Sequence, residues 1–158
     1  MSMLRLADYD IVFQEVPGEV SLALNISGCP NRCPGCHSPH LQRQVGEPLD
    51  EATLGGLVDR YGGAVTCVCF MGGDAAPAEV ARLAAFVRET TSQRLKTAWY
   101  SGRDRLPDGF ALSWFDHVKL GPFIAALGGL DSPTTNQRFY RATDDGLVDI
   151  TELFRRGK

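Results

Sequence analysis

Ala64-Val65-Thr66-Cys67-Val68-Cys69-Phe70-Met71-Gly72-Gly73-Asp74 is the stretch that decides the fold. Residues 64–71 form an apolar run without the in-out alternation of a half-exposed strand. A run of this kind fits a strand buried on both faces of a parallel sheet. It stops at two glycines and an acid, which is turn chemistry. Downstream, Pro77 suits the first turn of a helix whose inner face would be Val80, Leu83, Ala84 and Val87. Upstream, Asp50 stands where a helix N-cap belongs, with Leu54, Leu57, Val58 and Tyr61 following at helical spacing. Gly62-Gly63 closes that helix.

Further out the strand signals continue. Val20, Leu22, Leu24 and Ile26 alternate with Ser21, Ala23, Asn25 and Ser27, so residues 20–26 read as a strand. Tyr9, Ile11 and Phe13 suggest a preceding strand, joined through the hairpin-like turn Val16-Pro17-Gly18-Glu19. On the other side, residues 95–100 read as a strand ending in Ser101-Gly102, and residues 114–120 as another ending in Gly121-Pro122. Residues 124–127 read as a short helix and residues 147–150 as a last strand. Alternating strands and helices predict an α/β fold with a mostly parallel sheet. Sites in such folds form at the carboxyl ends of the strands. Gly72-Gly73-Asp74, Ser101-Gly102 and Gly121-Pro122 all fall there.

Composition narrows the class. The chain has 158 residues, 44% of them hydrophobic and 22% charged, which predicts a globular fold over disorder. With no repeat, linker or low-complexity tract, residues 1–158 read as a single domain. A formal charge of −3 and the absence of a basic arm argue against nucleic acid as a partner. No apolar run approaches the roughly 20 residues that cross a bilayer. The opening Met1-Ser2-Met3-Leu4-Arg5 offers no secretory core, so the expected address is the cytoplasm.

Five cysteines is an odd number, and three of them crowd into one loop. Clustered thiols without an export signal point to metal ligation rather than to a disulfide framework. Ser27-Gly28-Cys29-Pro30-Asn31-Arg32-Cys33-Pro34-Gly35-Cys36-His37 has the spacing C-x3-C-x2-C. Three thiolates on a cubane iron–sulfur cluster leave one iron without a protein ligand, and an open position lets a metal bind a substrate. Pro30, Pro34 and Gly35 would bend the loop so that the sulfurs converge. The competing reading is a structural zinc held by Cys29, Cys33 and Cys36 with His37 or His40. Zinc sites of that kind usually pair two separated ligand doublets, and here all candidates share one loop.

C-x3-C-x2-C directly after a strand, with Gly72-Gly73-Asp74 ending the next buried strand, resembles the radical-SAM superfamily. Within it, Ser27-Gly28-Cys29-Pro30 through Cys33-Pro34-Gly35-Cys36 is similar to the anaerobic ribonucleoside-triphosphate reductase activating proteins. The short chain matches that family, as does Thr135-Asn136-Gln137-Arg138, which resembles its Ser-Ser-Asn-Gln segment. The likeness runs from about residue 8 to residue 138. It implies a 4Fe–4S cluster on Cys29, Cys33 and Cys36, whose unique iron chelates S-adenosylmethionine. It also implies reductive cleavage of the sulfonium and removal of a hydrogen atom from a glycine of a large glycyl-radical reductase. An electron donor such as a flavodoxin or ferredoxin would complete the system. The fold it implies is a partial, open β/α barrel, since a closed one takes roughly 250 residues. Many superfamily members carry an aromatic residue before the third cysteine where this chain has Gly35, as the resembled family allows, and Pro17-Gly18-Glu19-Val20-Ser21 lacks the arginine of the Gly-Pro-Gly-x-Arg stretch usual in glycyl-radical activases.

The remaining candidates divide between this site and plain structure. Gly72 and Gly73 would let backbone approach S-adenosylmethionine, with Asp74 accepting from its ammonium. The alternative makes Asp74 a helix N-cap. Ser101 and Asn136 are cofactor-binding candidates through the resemblance alone. Cys67 and Cys69 share a strand face and read as core. His37 and Lys119 are open between site and structure, His117 lies on the same strand as Lys119, and Trp99 and Tyr100 read as core or rim. Two other functions compete with the activase: a compact radical-SAM enzyme acting on a small molecule, as deazapurine-forming synthases do, and a zinc-stabilised binding module.

Overall fold

The computed structural model describes residues 4–13, 16–27, 46–92, 94–110, 112–122 and 124–154. The strands are β1 (Arg5–Phe13), β2 (Val20–Ile26), β3 (Glu47–Pro48), β4 (Cys67–Met71), β5 (Lys96–Tyr100), β6 (His117–Leu120), β7 (Arg138–Thr143) and β8 (Gly146–Asp149). The helices are α1 (Glu51–Tyr61) and α2 (Pro77–Thr90). All eight strands join one open sheet in the order β3-β1-β2-β4-β5-β6-β7-β8.

The central pairs β2/β4, β4/β5 and β5/β6 are parallel, while β1/β2, β1/β3, β6/β7 and β7/β8 are antiparallel. The expectation of a mostly parallel sheet is therefore corrected: the parallel part is the centre, and antiparallel pairs predominate. The reason lies in the connections. Helices precede β4 and β5, and the segment between β5 and β6, with its 3-10 turn, also returns the chain to the same direction. The short turns between β1 and β2 and between β7 and β8 allow only antiparallel neighbours. The first of these turns is closed by Glu19 N–H donating to Val16 O at 3.0 Å.

Cys67, Val68, Cys69 and Phe70 are each 0% exposed, so β4 is buried on both faces as its apolar run requires. Val68 and Phe70 face α1 and α2 in the main core with Leu22, Leu24, Leu54, Val80 and Leu83. Cys67 and Cys69 face the other way, into a smaller cluster with Val16, Ala98 and Phe139. Ile150 and Phe154 pack against that second cluster.

Both helices begin as their sequences dictate. Asp50 caps α1 through Oδ1, which accepts from Thr53 N–H at 2.9 Å. Pro77 opens α2, but its N-cap is Ala76, so Asp74 is not the cap of this helix. Two expected elements change. Of residues 114–120 only His117–Leu120 is strand, because Leu112–Trp114 forms a single 3-10 turn. Residues 124–127 make a turn, with Leu127 and Gly128 N–H both donating to Ile124 O, rather than a helix.

Candidate functional site

Register brings the strand ends together. Asn25 pairs with Met71, Met71 with Tyr100, and Tyr100 with Lys119. The segments that follow β4, β5 and β6 therefore leave the sheet side by side. Gly72-Gly73-Asp74, Ser101-Gly102 and Gly121-Pro122 meet along this edge.

Asp74 is the centre of the contacts and is only 2% exposed. Its Oδ1 accepts from Ser101 Oγ at 2.6 Å and its Oδ2 from Gly102 N–H at 2.8 Å. Its backbone carbonyl accepts from Arg103 Nη2 at 3.3 Å. Trp99 Nε1 donates to Gly72 O at 2.6 Å, and Gly72 N–H to Tyr100 O at 3.0 Å. The turn after β4 is thus tied to the end of β5 at several points.

Gly72 and Gly73 have φ of 112° and 92°, which side chains rarely adopt. A Cβ on Gly72 would lie 3.0 Å from Ile26 O, and one on Gly73 would lie 2.5 Å from Val80 Cγ2. Packing inside the protein already demands both glycines.

Lys119 is 8% exposed and donates from Nζ to Ser101 O at 3.0 Å and to Gly121 O at 2.7 Å. Its sequence left open whether it sits in the site or in solvent, and the structure buries it among the strand ends. Asn136 joins the same edge: Nδ2 donates to Pro122 O at 3.0 Å, which fixes the direction of the amide. Its Oδ1 is buried and meets no hydrogen-bond donor among the described residues. Gln137 Nε2 lies 3.5 Å from Gly121 O.

Arg103 was not among the sequence candidates. Besides its contact to Asp74, its N–H donates to Ser101 Oγ at 3.1 Å, and its carbonyl accepts from Gly121 N–H at 2.6 Å. It lies two residues beyond Ser101, so the strand-end rule that flagged Ser101-Gly102 would have reached it if extended by one residue.

Cys29, Cys33, Cys36 and His37 lie outside the described residues. The points where their segment leaves and rejoins the sheet are described. Leu6 pairs with Ile26 on one side and with Glu47 on the other. Ile26 and Glu47, which flank the cysteine segment, therefore lie about 10 Å apart, two strand spacings across β1. The departure point adjoins the Gly72 turn, which packs on Ile26.

Cys67 and Cys69 stay apart from this edge. Burial pushes the Cys67 thiol up to about 12, and Cys69 Sγ donates to Met71 Sδ at 3.3 Å. Among the described residues no three His, Cys, Asp or Glu side chains are grouped to hold a metal. His117 is stacked on Phe139 with ring centroids 5.5 Å apart, and burial lowers its pKa. Tyr100 packs against the second core cluster, edge-on to Phe139. No helix among the described residues is long and apolar enough to cross a membrane.

A family model described as a 4Fe-4S single cluster domain matches residues 16–105, more than half of the 158-residue chain. The match spans β2, the cysteine segment, β4 with Gly72-Gly73-Asp74, and β5 with Ser101. No curated protein and no solved structure matches the chain.

Proposed function

The chain belongs to the family of 4Fe-4S single cluster domains, and on that premise we propose that it is a radical-SAM activase for a glycyl-radical enzyme. The observation that carries this reading is where the cysteine segment leaves the sheet. It departs beside a turn with a buried carboxylate, at the carboxyl ends of the parallel strands. A cluster site and a ligand site would then share one edge.

The residues fit the groups implied. Three cysteines at C-x3-C-x2-C supply the thiolates of a cubane with one open iron. Asp74 is held rigid by Ser101 and Gly102. A ligand ammonium is a charge-assisted match for it. Asn136 Oδ1, buried without a donor among the described residues, is a second acceptor for the ligand. When bound, the cluster supplies the single electron that cleaves the sulfonium of S-adenosylmethionine. Methionine and 5′-deoxyadenosine are the products, and the hydrogen atom comes from the Cα of a glycine in the partner. The electron comes from a small reductant protein such as a flavodoxin or ferredoxin. Around this chemistry the chain's own residues bind and orient: Asp74, Ser101 and Asn136 face the ligand, while Trp99 and Arg103 fix the turns.

The open sheet supports a protein substrate over a metabolite. Its order ends at β8, where Val148 is 41% exposed. An open sheet admits a backbone loop, whereas a radical acting on a small molecule needs enclosure against side reactions. The proposed partner is an anaerobic ribonucleotide reductase. The test is anaerobic mixing of chain, reductase, S-adenosylmethionine and reductant, which should give a glycyl-radical EPR doublet. The doublet should collapse to a singlet with Cα-deuterated glycine in the reductase. Consumption of S-adenosylmethionine with a small purine-like substrate, and no radical on the reductase, would replace this reading by the small-molecule one.

A further inference from the structure

Two buried groups of opposite charge flank one serine at the strand ends. Asp74 is 2% exposed, Ser101 1% and Lys119 8%. The hydroxyl of Ser101 donates to the Asp74 carboxylate at 2.6 Å, and the carbonyl of the same residue accepts from the Lys119 ammonium at 3.0 Å. From its other side Lys119 donates to Gly121 O at 2.7 Å. Gly121 N–H donates to Arg103 O, and Arg103 N–H to Ser101 Oγ, so the contacts close into a ring. Gly121 is bound to this geometry. Its φ is 112°, and a Cβ there would lie 3.1 Å from Gln137 Cα.

Taking an ionised carboxylate or ammonium out of water is costly unless charge or hydrogen bonds compensate it. Here each charge is hydrogen-bonded to the same residue, Ser101. Lys119 also reinforces the join between the end of β5 and the end of β6, where Ser101 N–H donates to Lys119 O at 2.9 Å. Removing the ammonium would leave Ser101 held by its N–H alone on the β6 side, with its carbonyl unanchored, and Ser101 orients Asp74.

We infer that Lys119 is a positioning residue, acting through Ser101 to hold the Asp74 carboxylate in place for the ligand. This inference rests on the reading of the strand-end edge as an S-adenosylmethionine site. Lys119 itself is not assigned a contact with the ligand.

The test uses the full chain reconstituted without oxygen, with Lys119→Met, Ser101→Ala, their combination, and Ser101→Thr, which keeps a hydroxyl. S-adenosylmethionine affinity is read by equilibrium dialysis, alongside iron content and thermal unfolding. Each disabling single substitution should weaken binding about tenfold, the effect of a lost charge-assisted hydrogen bond. The combination should stay near tenfold, because either change breaks the same path. Ser101→Thr should stay within about threefold of the unaltered chain, and iron content should hold throughout. Multiplication of the two effects to about a hundredfold, or unaltered affinity in Lys119→Met, would overturn the inference. If Lys119→Met does not fold, Ser101→Ala with undiminished affinity overturns it as well. Should the unaltered chain bind no S-adenosylmethionine, it is the functional reading that fails. The link is then decided by unfolding temperature: losses in Lys119→Met and Asp74→Asn that simply add refute it, and losses that overlap support it.

Discussion

Replacing Asp74 by Ala removes two hydrogen bonds from the middle of the molecule and leaves their donors, Ser101 Oγ and Gly102 N–H, without the carboxylate. The site is too enclosed for water to take over freely, since Asp74 and Ser101 are 2% and 1% exposed. A hydrogen bond to a charged group contributes about 1.5–3 kcal/mol, and both bonds fail together, so the expected loss of stability is about 3–6 kcal/mol. For a chain of this size that lowers the unfolding temperature by roughly 10 °C. A helix N-cap, by contrast, contributes only about 1 kcal/mol. Urea unfolding of anaerobically prepared protein separates the two, and Asp74→Asn, which keeps one acceptor, should fall between the unaltered chain and Asp74→Ala. A loss near 1 kcal/mol for Asp74→Ala would refute the view of Asp74 as a tie between the ends of β4 and β5.

Other consequences are as direct. Anaerobic protein should be brown with about four irons per chain; Cys29→Ala, Cys33→Ala or Cys36→Ala should abolish this by iron assay, and Cys67→Ala or Cys69→Ala should not. Gly73→Ala should cost about 2–4 kcal/mol through its positive φ and the contact with Val80 Cγ2, and Val80→Ala in the same chain should recover only the contact part, as read by urea unfolding. Burial holds the His117 pKa below its ordinary value, so the unfolded chain binds the proton more tightly. Stability from this source is full above the unfolded pKa of about 6.5 and falls as the pH drops towards the folded value. His117→Gln should flatten that part of a stability–pH curve, and an unchanged slope between about pH 7 and 5 would count against it.

Much of the fold was legible because its signals are local. The Asp50 cap, the spacing from Leu54 to Tyr61, and Pro77 ahead of Val80, Leu83 and Val87 each report on a few neighbouring residues. The unbroken apolar run of β4 gave its burial in the same way. Strand direction was not legible, because it depends on which connections cross the sheet. β7 escaped for a different reason: Arg138-Phe139-Tyr140-Arg141 alternates, yet only Phe139 is fully buried and two arginines interrupt the apolar pattern. β3 has two residues, too few for any period. The candidate site was legible as a set of strand-end turns but not as a network. That Ser101 Oγ meets Asp74 across 27 positions follows only from the register of β4 on β5.

The two glycines show why such a short motif still carried information. Gly72 turns on Ile26 at the end of β2, and Gly73 makes way for Val80 on α2. Each contact is with an element that the parallel centre of the sheet requires, so the pair marks the fold before it marks any ligand. The acid that follows is different. Its carboxylate makes no cap for α2, whose N-cap is Ala76, and it is drawn instead to Ser101 and Gly102. Asp is one methylene shorter than Glu, which the resembled family usually carries here, and that shortness keeps the charge against the end of β5. A buried charge held this way needs compensation; Arg103 touches the backbone carbonyl of Asp74, and Lys119 lies on the far side of the same serine. The glycines thus answer to backbone space, while the acid, serine and lysine join the ends of β4, β5 and β6 through their side chains.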